Sequence, residues 1–308
     1  MLKPNFFIVG APKCGTTSIA HYLSERPDCY LPPIKEPGYF STDIPSTDRL
    51  YPIRRDADYL KLYDHPKSKA ACVRIDASTT YLRSEVAVAN ILKFQPEAKF
   101  LAIVRSPVDL AYASHHQLVK ECREDITDFR AAWRDYERRK RLPPPDSRIL
   151  NALYPDIARI GRQVQRLYSL VPEKQRILFS IEDLQSSTQR VYNALLEFLD
   201  LEADGRTHFP SLNESGMPRF PRLSLFLLSP PPVVSPLVRG SRFLMLKYAG
   251  GAYQGVKKSL LKRAPRERLD PDFREELEDF FRPDVDLLSR ITGRDFSFWL
   301  STASSSRE

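Results

Sequence analysis

The stretch Asn5-Phe-Phe-Ile-Val-Gly-Ala-Pro-Lys-Cys-Gly-Thr-Thr-Ser18 limits what this chain can fold into more than any other. Phe6, Phe7, Ile8 and Val9 form a short unbroken apolar run, which reads as a buried strand. Gly10 and Gly15 bracket a tight turn. Thr16, Thr17 and Ser18 then open a helix whose apolar face begins with Ile19 and Leu23. A strand, a glycine loop and a helix N-terminus in this order build an anion site, because backbone N–H groups and the helix dipole point at one spot.

The spacing is nearly that of the nucleotide-binding loop G-x-x-x-x-G-K-[ST]. Gly10 and Gly15 keep the glycine spacing and Thr17 takes the hydroxyl place, but Thr16 fills the lysine slot and the lysine comes earlier, at Lys13. The loop therefore suits a 5′-phosphate-like group with its cation on another side. This pattern resembles the 5′-phosphosulfate loop of sulfotransferases that use 3′-phosphoadenosine 5′-phosphosulfate (PAPS). The resemblance implies that Lys13, Cys14, Gly15, Thr16, Thr17 and Ser18 hold the 5′ end of PAPS. The plain alternative is a glycine turn before an ordinary helix.

Around this motif, strands alternate with helices. Apolar runs predict strands at 71–75, 99–104 and 176–181, and helices are expected near 56–63, 85–94, 108–121, 126–141, 149–170 and 187–199. A final helix is marked by Asp270 as N-cap and Pro271 at the first position, with Phe273, Leu277, Phe280 and Phe281 inward. The alternation predicts an α/β, P-loop NTPase-like three-layer fold, a central parallel sheet flanked by helices. Ligands then bind beyond the C-terminal strand ends, where Lys13, Asp76 and Arg105 fall. No linker or repeat interrupts the 308 residues, so residues 1–308 read as a single domain.

Two further stretches add to the resemblance. In sulfotransferases an arginine ends the third strand of this pattern, with proline two positions on and serine eight on, and the arginine and serine grip the 3′-phosphate. Arg105 and Pro107 match; Ala113 holds the serine position and Ser114 follows it. One helical step turns a side chain by about 100°, so Ser114 serves only if the helix start is shifted. Lys35-Glu36-Pro-Gly-Tyr-Phe40 resembles the lysine-glutamate-proline-histidine-phenylalanine-phenylalanine stretch of the bacterial and carbohydrate-type branch. There the glutamate is the general base for the acceptor hydroxyl. Glu36 takes that place, and Gly38 replaces the histidine. Asp76-Ala-Ser-Thr-Thr-Tyr81, Ile177–Leu184 and the tail from Phe281 to Asp295 are weaker echoes.

The resemblance implies sulfuryl transfer from PAPS, giving 3′-phosphoadenosine 5′-phosphate (PAP), to a small-molecule or glycan hydroxyl. Glu36 would act as base and Lys13 would stabilise the leaving phosphate. No cluster has metal-ligand spacing, and this arrangement requires no metal. His115 and His116 read as a polar helix face, with a base role as the alternative. A P-loop small-molecule kinase or NTPase remains a rival, sustained by Glu182 and Asp183, as does an inactive sulfotransferase-like protein, favoured by Ala113 and Gly38.

Bulk properties bound the setting. The net charge is +8, but residues 222–266 contain nine Lys and Arg and no Asp or Glu. The basicity thus belongs to one segment and argues against a nucleic-acid-binding surface over the whole protein. Its prolines and Gly250-Gly251 forbid one rigid helix. It reads as a mobile cover over the cleft or as a basic flank in peripheral contact with a membrane. Arg219, just ahead of this segment, and Arg222, at its start, are the residues expected to reach the 3′-phosphate. No run of about 18 apolar residues predicts a membrane span. No signal peptide is recognisable, and the four cysteines read as reduced thiols, so a cytoplasmic location is expected. Neither the acceptor nor the oligomeric state can be read from the chain.

Overall fold

The computed structural model describes residues 2–34, 36–44, 53–121, 123–142, 150–210, 217–218, 261–262 and 268–301. Arg219, Arg222 and nearly all of the basic segment lie outside the described residues, and so does Lys35.

Five strands form the central sheet: β1 Phe6–Gly10, β2 Cys29–Tyr30, β3 Val73–Ala77, β4 Lys99–Val104 and β5 Arg176–Ser180. Their order is β2-β3-β1-β4-β5 and every pairing is parallel. β1 lies at the centre and all five of its residues are buried. Strands covered on both faces read as unbroken apolar runs, which is why this stretch and 99–104 were legible. β5, at one edge, is mostly half-buried. The expected strand 71–75 begins two residues later, which places Asp76 inside β3 paired with Phe7 of β1. β2 is too short to leave a period in the sequence. A separate pair, β6 Met217–Pro218 and β7 Leu261–Lys262, is antiparallel.

The helices are α1 Thr16–Ser24, α2 Asp56–Lys61, α3 Pro66–Ala70, α4 Ala87–Phe94, α5 Pro107–Lys120, α6 Phe129–Arg134 and α7 Tyr136–Lys140. They continue with α8 Tyr154–Ala158, α9 Ile160–Leu170, α10 Ile181–Ser186, α11 Thr188–Phe198 and α12 Pro271–Thr292. Two expected helices are each divided. The one at 126–141 breaks at Asp135, whose carboxylate takes the guanidinium groups of Arg138 and Arg139. The one at 149–170 restarts at α8 because Pro155 fits only a first turn. It breaks again at Arg159, after which Asp284 of α12 caps α9, accepting from Gly161 N–H at 2.7 Å and Arg162 N–H at 3.1 Å. The strand expected to end at 181 ends at Ser180, where Ser180 and Asp183 form a capping box that starts α10.

α12 begins as read: the Asp270 side chain accepts from Phe273 N–H at 3.0 Å. The helix packs on α9 and α5, and its Arg274 pairs with Asp109 of α5 at 2.5 Å. Its approach to α9 leaves no room at Gly161, where an added Cβ would lie 2.0 Å from the Asp284 carbonyl oxygen. Gly161→Ala is therefore expected to destabilise the fold by about 3 kcal/mol or more, as overpacking against backbone does. Urea denaturation checks this, and a wild-type midpoint would contradict the packing.

Candidate active site

The phosphate loop follows from how β1 ends. The β1–β4 register shifts between Ile8 and Gly10, and Gly10 has φ 147°. A Cβ there would meet the Thr79 carbonyl oxygen at 2.9 Å and the Leu82 Cβ at 3.0 Å. Only glycine lets the 79–82 segment close over the strand end, where Leu82 N–H also donates to the Val9 carbonyl at 2.8 Å. Gly15, at φ 87°, is the N-cap of α1. Ser18 N–H donates to the Gly15 carbonyl at 3.0 Å, so its amide is used inside the first turn. The amides ahead of it are the helix's outward donors. Cys14 is fully buried, its thiol facing the Pro12 carbonyl at 3.3 Å. Burial pushes that thiol up to about 12, so the side chain stays neutral and inert.

Arg105 joins this loop directly. It follows β4 and donates to the Lys13 carbonyl at 3.0 Å. Its second terminal nitrogen lies 3.9 Å from Asp109, whose other oxygen holds Arg274. The Arg105 Nε is buried and, among the described residues, has no hydrogen-bond partner; the same is true of the Ser114 hydroxyl. α5 starts at Pro107, so no shift of the helix start moves Ser114 into the place of Ala113, and both residues are buried. His115 does not sit on a polar face, as the sequence suggested. It is fully buried against Phe129 and Tyr154, with Nε2 2.8 Å from the Ile126 carbonyl. Aromatic neighbours from α6 and α8 close over that side of α5, which no local pattern announces.

Across the sheet's C-terminal edge, Glu36 is exposed and its carboxylate accepts from the Thr79 hydroxyl at 3.2 Å. Thr79 is the residue whose carbonyl abuts Gly10, so the Glu36 loop and the phosphate loop share one neighbour. Lys13 and Glu36 both have positive φ, 62° and 58°, which side-chain-bearing residues rarely adopt. Asp76, fully buried, accepts from Tyr59, Ser78 and Tyr81 at 2.6, 2.7 and 2.9 Å. Burial pushes its carboxyl up to about 6; the three hydroxyls pull it back and the Glu36 charge adds to the rise. Its contribution to stability is thus largest below 3.8, its ordinary value, and is lost as pH rises through about 6.

A family model described as Sulfotransferase domain matches residues 3–214 of this chain. The chain belongs to the sulfotransferase family. A crystallised sulfotransferase of Alicyclobacillus acidocaldarius is 27% identical and superposes with a TM-score of 0.71, covering 97% of this chain and 99% of that one. The expected three-layer fold with its central parallel sheet is therefore the fold of this sulfotransferase. Carbohydrate sulfotransferase 15 of Rattus norvegicus is 25% identical over 248 residues, 64% of this chain and 44% of that protein. Bifunctional heparan sulfate N-deacetylase/N-sulfotransferase 1 of Mus musculus is 27% identical over 119 residues, 36% of this chain and 12% of that protein. The chain spans less than half the length of either curated relative. Among the described residues no helix is long and apolar enough to cross a membrane, and no group of acidic, histidine and cysteine side chains could hold a metal.

Three residues of the candidate site escaped the sequence reading. Gln117 of α5 accepts from Lys13 Nζ at 3.0 Å. Its position, one turn beyond Ser114, was a usable signal. Thr79 and Tyr59 meet Glu36 and Asp76 only through tertiary contact. The residues fit a doubly anionic nucleotide: a glycine-capped helix end and Lys13 on one side, and a buried, unsatisfied guanidinium nitrogen on the other. Lys13→Ala is expected to leave thermal stability nearly unchanged, since the residue is exposed. It should lower turnover by about two to four orders of magnitude, as loss of a charge-stabilising donor does. Arg105→Ala should weaken PAPS binding by about 1.5–3 kcal/mol and adenosine 5′-phosphosulfate, which lacks the 3′-phosphate, far less. Calorimetry with both ligands reads this; equal weakening would remove the 3′-phosphate role.

Proposed function

We propose that this sulfotransferase transfers the sulfuryl group of PAPS to an acceptor hydroxyl with Glu36 as general base. The observation that carries the reading is the Arg105–Lys13 hydrogen bond. It joins the strand-end guanidinium and the phosphate loop into one cationic cradle, while Thr79 ties Glu36 to the same edge.

Bound PAPS supplies the sulfuryl group and a phosphate leaving group. The amides of Gly15, Thr16 and Thr17, the turn at Cys14 and Ser18, and the Lys13 ammonium hold its 5′ end. Arg105 holds the 3′-phosphate without Ser114, because α5 starts at Pro107 with no shift of its start. Glu36 takes the acceptor proton as the oxygen attacks, and Lys13 supports charge developing on the departing side. A sugar acceptor is favoured by the carbohydrate sulfotransferase relative. We read the chain as one domain on the support of α12, which packs on α9 and α5.

The sulfotransferase family match weighs against the kinase reading, and so does the engagement of Asp183. Asp183 caps α10 and pairs with Arg294 at 2.7 Å, and Glu182 accepts from Trp299 Nε1 at 3.0 Å. Asp183 thus has a structural task, and Glu182 has one through Oε1 alone, since its buried Oε2 has no hydrogen-bond partner among the described residues. Thermal shift with PAPS against ATP and Mg²⁺ separates the two classes. Glu36→Gln should keep PAP affinity while turnover falls at least about a hundredfold. Labelled PAPS with unsulfated chondroitin, heparosan and a long-chain alkyl glucoside reads the transfer. Wild-type turnover in the variant would remove Glu36 as the base.

A further inference from the structure

The hydrogen bonds that fix the Glu36 loop lead back to one buried carboxylate. Asp76 Oδ1 accepts from Ser78 Oγ, and Oδ2 accepts from the hydroxyls of Tyr59 and Tyr81. An ionised carboxylate accepts only. Each of the three hydroxyls therefore turns its proton toward Asp76 and a lone pair away from it.

Two of those lone pairs meet the loop that carries Glu36. Gly38 N–H donates to Ser78 Oγ at 3.0 Å, and Phe40 N–H donates to the Tyr81 hydroxyl at 3.4 Å. The third hydroxyl belongs to Tyr59, whose ring stacks on Tyr39 at 4.4 Å between centroids. Phe40 sets its edge against both Tyr59 and Tyr81. Further along, Ser41 Oγ lies 3.3 Å from Thr80 Oγ1, and Thr79 reaches Glu36 itself. The 76–81 segment that receives these hydrogen bonds is also the one pressed against Gly10.

We propose that Asp76 is a positioning residue for sulfuryl transfer, holding Glu36 in register with the phosphate loop through the Ser78 and Tyr81 hydroxyls. Asp76 is fully buried and acts through other residues. The proposal rests on Glu36 being the base. It also accounts for Glu36 standing at positive φ: a strained backbone persists where its surroundings over-determine it.

An amide cannot replace this carboxylate. Asparagine keeps the shape but places a donor on one side, facing either Ser78 or the two tyrosines. A hydroxyl facing that donor must accept from it, so its proton turns away from residue 76 and competes for the side on which it accepts from the loop N–H. Burial already makes the charge costly at this position, and an apolar residue would fill the end of β3 without that cost.

Ser78→Ala, Tyr81→Phe and Asp76→Asn test this, each alone and combined with Glu36→Gln. Amide exchange at Gly38 and Phe40 should quicken at least about tenfold in each single variant, while the PAP dissociation constant stays within about twofold of wild type. Turnover of labelled PAPS with chondroitin, heparosan or the alkyl glucoside should fall about tenfold, the order of a misplaced base, with no further fall in the Glu36→Gln background. Wild-type turnover in Glu36→Gln alone would remove the base assignment. If Glu36→Gln does lose turnover, the positioning role is overturned by either of two results: wild-type exchange in Ser78→Ala and Tyr81→Phe, or an equal further loss when they are added to Glu36→Gln. Those two variants carry the test if Asp76→Asn fails to fold, and the exchange measurement needs no acceptor.

Discussion

The structure depends on β1 being buried on both faces at the centre of the sheet and then having to turn without a side chain at Gly10. Phe7 stacks on Phe100 of β4 and meets Phe40 edge-on. Full burial of such rings is worth about 1.5–3 kcal/mol each, so the strand cannot shift to relieve crowding at its end. The crowding is met by absence of a Cβ, and the Thr79 carbonyl takes the vacated space. Everything at the candidate site is then built outward from that contact: the phosphate loop on one side, the 79–82 turn on the other, and Arg105 from the neighbouring strand.

Charge in the site is arranged to be incomplete. Asp109 is shared between Arg105 and Arg274, and it lies 3.9 Å from the first and 2.5 Å from the second. The closer pair anchors α12, so Arg105 keeps most of its positive field for an anion. The contrast with Arg139 is instructive. Its guanidinium is fully engaged by Glu124, Asp135 and the Ala152 carbonyl. A cation satisfied in that way is structural; one with a buried, unsatisfied nitrogen fits a ligand role.

Much of the candidate site was legible because it is local. Gly10, Lys13, Gly15 and Thr17 lie within one turn and helix start, and the spacing alone states an anion loop. Arg105 was legible from its place after a strong apolar strand. His115 was misread because its helix has an ordinary polar-looking stretch there, and only α6 and α8 make that side interior. The start of α8 had a visible signal in Pro155, and the end of β5 had one in the serine–aspartate pair of the capping box, but the Asp284 cap on α9 joins residues more than a hundred positions apart.

By itself the sequence determined the strand–loop–helix motif, the alternation that builds a parallel sheet, and the places of Lys13 and Arg105 beyond strand ends. These rest on backbone sterics and side-chain periodicity, which act over a few residues. Tertiary structure alone decided that Thr79 would bridge the Glu36 loop to Gly10, and that Asp76 would orient three hydroxyls from two separate segments. Such contacts depend on β3 lying beside β1, a choice made by burial summed over the whole sheet rather than by any short stretch of chain.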